Sequence, residues 1–202
     1  MKTIYTIGYT GFTLNSFITT LKNYGISCVV DVRSNPMSKY YPDFNKNNLE
    51  QALKLAGIYY RNYVDEFGAR QTNKRFYSIN GYLDFKKFSK SEFFKSGVDK
   101  LITSMNKGYV FALMCAEKDP IDCHRNIMVA SEFYRMGYEV KNILADGNYV
   151  FQSAIEKRLL EMYFPDRDQF SMFEKCIDNI ELVERAYEKR NADIGYKVEE
   201  EQ

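Results

Sequence analysis

Cys115, Glu117, Cys123, His124 and Arg125 lie close together in the chain, and His124 is the only histidine it has. A thiol at either cysteine becomes a nucleophile once deprotonated, and the residues do not decide which one would act. Glu117 and His124 are side chains that move protons near neutral pH. Arg125, together with Arg33 and Arg70 elsewhere in the chain, offers the planar fork that grips phosphate, sulfate or carboxylate with two hydrogen bonds. Each has a plainer use: Cys115 as a buried structural thiol, Glu117 as a solvated loop carboxylate, His124 as a loop cap, Arg33 or Arg125 in a salt bridge with Asp31. Cys115, Cys123, His124 and Glu117 also suggest a metal, with Cys28 or Cys176 as the only further soft ligand. Their spacing is unlike the usual Cys-x2-Cys pairs, so no metal or other cofactor is expected.

What must position these groups is legible from periodicity and breakers. Residues 109 to 115 are an apolar run that reads as a buried parallel strand, whose carboxyl end is where open α/β sheets keep ligands. The loop 118 to 122 then turns at Pro120 into an amphipathic helix over 123 to 136. Asp122 is the expected N-cap, which would put Cys123, His124 and Arg125 in the first helical turn. Upstream, 4 to 9 and 28 to 32 read as strands, 14 to 24 as a helix stopped by Gly25, 46 to 56 as a helix stopped by Gly57, and 58 to 64 as a third strand. Residues 65 to 91 read as polar and irregular, long enough to cover a pocket, before a helix near 92 to 106. A last strand spans 139 to 144, and 149 to 202 is mainly helical, with a frayed charged end. The expected fold is a three-layer, single-domain α/β architecture with a mainly parallel sheet of about five strands and a helical C-terminal extension. Residues 1 to 160 form the α/β domain, and 161 to 202 pack on it. Three loops, 8 to 11, 31 to 38 and 115 to 125, then converge on one sheet edge.

Composition sets the remaining bounds. The chain has 202 residues, 45% of them hydrophobic, enough for one well-buried domain. With 28 basic and 27 acidic residues, no global field recommends nucleic acid or membrane as a partner. No apolar run is long enough to span a bilayer and no signal-peptide pattern opens the chain, so a cytoplasmic protein is expected. Four scattered cysteines do not make a secreted disulfide framework. No Walker A loop and no Gly-x-Gly-x-x-Gly follow the first strand, so neither a P-loop nor a dinucleotide fold is supported.

The motif text resembles a bacterial family catalogued as domain of unknown function 488. The resemblance is carried by Thr6-Ile7-Gly8-Tyr9 before a helix, by Val30-Asp31-Val32-Arg33-Ser34-Asn35-Pro36 with a downstream Phe44, and by Phe67-Gly68-Ala69-Arg70. Met114-Cys115-Ala116-Glu117-Lys118-Asp119-Pro120 and Cys123-His124-Arg125 complete it. It runs to about residue 160. The family often has His where Tyr9 stands and a second glycine where Ala69 stands. The resemblance implies that these motifs form one site, and it implies no reaction. A weaker, topological similarity links the order of elements to rhodanese domains, with Asp31-Val32-Arg33, Cys115 and Gly137-Tyr138 in the corresponding places and a longer loop after the cysteine.

The expected function is an enzyme, a cysteine-dependent transferase or hydrolase, that binds a phosphate or sulfur-oxyanion group. Its partner would be an anionic small molecule or nucleotide, held by Arg33, Arg70 and Arg125. Cys115, Glu117, Cys123 and His124 would carry out sulfur transfer or phosphoryl or nucleotide chemistry. The alternative is a non-catalytic nucleotide or nucleic-acid binding module that uses the same cations.

Overall fold

The computed structural model describes residues 2–167 and 179–197. Its strands are β1 (Thr3–Gly8), β2 (Cys28–Asp31), β3 (Tyr59–Asn62), β4 (Phe111–Cys115), β5 (Glu139–Ile143) and β6 (Tyr149–Phe151). Its α-helices are α1 (Leu14–Asn23), α2 (Lys46–Leu55), α3 (Val64–Phe67), α4 (Phe85–Phe88), α5 (Glu92–Asn106), α6 (Ser131–Arg135), α7 (Gln152–Tyr163) and α8 (Asn179–Ile194). Cys176 and the charged end from 198 lie outside the described residues.

The sheet runs β3-β2-β4-β1-β5-β6. The first five strands in that order are parallel and β6 is antiparallel to β5. β2 and β4 are buried at every position, as expected for strands covered on both faces. One core packs α1 and α2 through Phe17, Leu21, Leu49 and Leu53 onto Ile7, Val29, Ala112 and Met114. The opposite face packs α5, α7 and α8 through Phe94, Leu101, Ile155 and Ala186 onto Ile4, Val30 and Leu113. The three-layer expectation is met, with six strands. The extra one, β6, is three residues long and runs directly into α7, so the helical reading of 149 onward had concealed it.

Two local readings need correction. The segment 65 to 91 contains α3, α4 and a 3₁₀ turn at Lys74–Phe76, which bury Phe67, Phe76, Phe85 and Phe88. It is a packed cover rather than an irregular loop. After β4, the chain makes a 3₁₀ turn at Pro120–Asp122, capped by Asp119, whose side chain accepts from Ile121 N–H. Asp122 is not an N-cap; it pairs with Arg190 instead. Cys123 is extended (φ −133°, ψ 134°), and the helix begins at Arg125 with six π-helical residues, Arg125–Ala130, before α6. The wide π turn buries Asn126, whose amide bonds Asn142 and Gln152, each at 2.7 Å. This polar demand sets the local geometry, and such turns recur at functional sites.

Candidate active site

The register sets Gly8 beside Cys115 and Asp31 beside Met114. The carboxyl ends of β1, β2 and β4 are therefore adjacent, and their three loops meet there as expected. Gly8 permits the closest approach. A Cβ at that position would stand 1.8 Å from the Glu117 carbonyl oxygen, so only glycine fits without moving the backbone. Tyr9 and Thr10 N–H then donate to the carbonyls of Cys115 and Ala116, both at 3.1 Å, and lock the Glu117 segment against β1.

A cavity of about 410 Å³ opens at this edge, and its walls include Tyr9, Arg33, Arg70, Cys115, Glu117 and His124. Five of the seven residues singled out from sequence thus come together from separate segments. The other two, Cys123 and Arg125, sit behind the wall, at 1% and 0% exposure. Arg125 is therefore an internal cation that does not face the cavity.

His124 is held by its Nε2–H, which donates to the Val32 carbonyl at 2.9 Å. Its Nδ1 is thereby turned toward both thiols, 3.9 Å from Cys115 Sγ and 4.0 Å from Cys123 Sγ. Cys123 Sγ lies 2.8 Å from Glu117 Oε2, within hydrogen-bond distance, and Arg125 N–H donates to the same sulfur at 3.4 Å. Burial pushes the Cys115 thiol well above its ordinary value, and the neighbouring charge of Cys123 adds to this. Burial acts on Cys123 in the same direction. There the hydrogen bond with Cys115 and the charge of Arg125 outweigh it and hold the thiol well below the ordinary value. Burial and the Cys123 charge both raise the Glu117 carboxyl. For His124, burial favours the neutral ring, but Cys123 and Glu117 overcome that and raise it. Within the pair, burial and charge therefore favour ionisation at the hidden Cys123 over Cys115 on the cavity wall.

The arginines differ. Arg33 closes its Nε and Nη2 on the Asp31 carboxylate at 2.6 to 3.1 Å, the salt-bridge reading made from sequence, and Tyr60 O–H donates to the same carboxylate at 2.7 Å. Its guanidinium lies over the Tyr9 ring, 5.2 Å from the centroid. Arg70 is carried by the cover segment. Its N–H donates to Ser34 Oγ at 2.9 Å, tying the cover to the Arg33 loop. Its guanidinium lies 4.1 Å from the centroid of Tyr196.

Sequence reasoning missed Tyr9, Ser34, Asn35, Ser38 and Tyr196 as cavity residues. Tyr9 was marked only by its place in a motif, and the downstream Phe44 is its partner, stacked at 4.6 Å. Tyr196 had no local signal, because it reaches the cavity only through the packing of α8. Cys28, by contrast, is a structural thiol, pushed up to about 11 by burial.

Among the described residues no helix is long and apolar enough to cross a membrane. No curated protein and no solved structure matches the chain, so the rhodanese similarity gains no support from those comparisons. The family model described as domain of unknown function DUF488 matches residues 13–131, a stretch that holds the Arg33, Arg70, Cys115 and Cys123-His124-Arg125 motifs and stops short of Gly8 and Tyr9. A match over more than half of the chain places it plainly: the protein belongs to the DUF488 family.

Proposed function

We propose that this protein is a cysteine-dependent transferase or hydrolase that binds a phosphate or sulfur-oxyanion group beside Arg33 and Arg70 and acts on it with Cys115. The observation that carries the reading is the cavity itself, whose wall brings one thiol, two carboxyls, one imidazole and two guanidinium groups together from separate loops. Convergent polar groups of this kind in a concave site are the usual sign of chemistry. Of the two cysteines, Cys115 is the one on the cavity wall, so it is assigned the attack, and its proton passes to the cluster of Cys123, Glu117 and His124. For a thiosulfate donor, the Cys115 sulfur attacks the outer sulfur, the S–S bond breaks, and sulfite leaves with the electron pair, giving a persulfide on Cys115. For a phosphoryl donor, the same attack displaces the leaving group from phosphorus.

The experiment is mass spectrometry of the metal-free chain after incubation with thiosulfate, and separately with a panel of nucleotides. A one-sulfur increment on the Cys115 peptide, absent in Cys115→Ser, supports sulfur transfer. Phosphate release that depends on Cys115 supports phosphoryl chemistry. A second reading, a non-catalytic nucleotide-binding module, is favoured by the Tyr196 ring stacked on Arg70 at the cavity wall. It predicts neither reaction, and nucleotide affinity that survives Cys115→Ser.

A further inference from the structure

The geometry points to Cys115, Cys123 and His124 as a site for one thiophilic divalent cation of the Zn²⁺ class, with its remaining coordination position open to the anion cavity. The three ligand atoms lie within 4.8 Å of one another and all three residues are buried. In a tetrahedral zinc site with metal–sulfur bonds of about 2.3 Å and metal–nitrogen bonds of about 2.0 Å, ligand atoms stand about 3.6 to 3.8 Å apart. The Cys115–His124 and Cys123–His124 separations of 3.9 and 4.0 Å therefore need only a small contraction.

The support around the ligands is of the kind metal sites use. His124 donates its Nε2–H to the Val32 carbonyl at 2.9 Å, which fixes the tautomer whose free Nδ1 lone pair faces the thiols. Arg125 N–H donates to Cys123 Sγ. Cys115 ends β4 and Val32 directly follows β2, so the sheet holds two sides of the triangle before any ion arrives. Cys115, His124 and Glu117 line the cavity shared with Arg33 and Arg70. The fourth position is therefore directed where an anionic oxygen or water would sit, as in catalytic rather than closed structural sites. The chain spacing hides this arrangement, because Cys115 contributes from a strand end and the other two ligands from across the following turn.

Binding displaces the protons held among the two sulfurs and the His124 Nδ1 and involves no oxidation. A metal-bound thiolate is a weaker nucleophile than a free one, so in the loaded chain the cation damps the thiol reaction proposed above. The metal site itself does not depend on that reaction.

The full chain, stripped with chelator, would be titrated with Zn²⁺ against a chromophoric chelator, and with Co²⁺ to read the thiolate charge-transfer band. One equivalent per chain and a thiolate band are expected. Cys115→Ser and His124→Ala should each weaken binding more than about tenfold, since loss of one hydrogen bond that merely orients a ligand already costs that much. Cys28→Ser should leave it unchanged. Zn²⁺ should also slow alkylation of Cys115 in the unmutated chain, a readout that needs no variant to fold. Absence of stoichiometric binding, a Co²⁺ spectrum without the thiolate band, or binding that survives Cys115→Ser would each overturn the site. A chain that forms the Cys115 persulfide yet ignores Zn²⁺ loses only the metal site. One that binds Zn²⁺ but never reacts when metal-free loses only the thiol reaction.

Discussion

Arg33 and Arg125 are both buried at the same sheet edge, at 4% and 0% exposure, yet they are held in opposite ways. Arg33 grips the Asp31 carboxylate with two of its nitrogens, and Tyr60 completes the carboxylate's partners. Arg125 has no carboxylate. Its Nη1 donates to the Glu117 carbonyl at 2.8 Å, and its Nε and Nη2 have no hydrogen-bond partner among the described residues. Burying a cation is costly unless charge is returned nearby. At Arg33 the return is made by a fixed pair, which leaves the residue a well-positioned wall for the cavity. At Arg125 the groups its charge favours are the Cys123 sulfur and the Asp119 carboxylate, so Arg125 biases the chemistry of Cys123 without touching a ligand. One arginine shapes the site, and the other supplies it with field.

The comparison can be broken most severely at Gly8, because an added Cβ would meet the Glu117 carbonyl and come within 3.1 Å of Arg125 Nη2. Gly8→Ala is expected to cost on the order of 4 kcal/mol or more, read as a collapse of the denaturant midpoint. Asp31→Asn comes next. It strands the Arg33 charge inside the protein, and breaking a buried pair by removing one partner costs about 3 to 5 kcal/mol. Arg125→Met should be milder, about 1 kcal/mol, because the lost hydrogen bond to Glu117 is offset by removal of two buried guanidinium nitrogens that have no hydrogen-bond partner among the described residues. A chemical-denaturation series should therefore rank Asp31→Asn well below Arg125→Met in stability, and the reverse order would refute the contrast drawn between them. The smallest effect marks the exposed end of the scale. Arg158 pairs with Asp119 at 2.7 Å, with side chains 44% and 37% exposed, so Arg158→Ala should cost less than about 1 kcal/mol. Partial burial would raise the Asp119 carboxyl, but Arg158 and the Ile121 N–H outweigh it and lower it. The contribution of this pair is thus complete above the unfolded value of about 3.9 and is lost as pH falls through the lower folded value. Acid titration of the Arg158→Ala variant should show a correspondingly flatter loss.

Much of the fold followed from local patterning. The all-apolar run before Cys115 became a central strand, and α1 is closed at its start by the reciprocal Thr13 and Ser16 bonds. Gly137 has φ 86°, which suits a chain reversal between α6 and β5. The gathering of Arg33, Arg70, Cys115, Glu117 and His124 was also foreseeable, because parallel strands deliver their following loops to one edge. The start of the helix at Arg125 was not. Asp122 has the right residue type for a cap, but the Arg190 fork from α8 takes it, and the buried bonds of Asn126 favour a π turn over an ordinary first turn.

The sequence by itself determined the layer order, the strand that carries Cys115 and the set of chemically capable residues, since these depend on side-chain period and on the short-range rules of turns. Only the tertiary structure decided which cysteine faces the cavity and which arginine goes unpaired. It also decided that His124 offers Nδ1 to two sulfurs and that Tyr196 joins the wall from the far end of the chain. Those outcomes depend on distances between segments remote in sequence. Burial and charge act through such distances, and no local pattern records them.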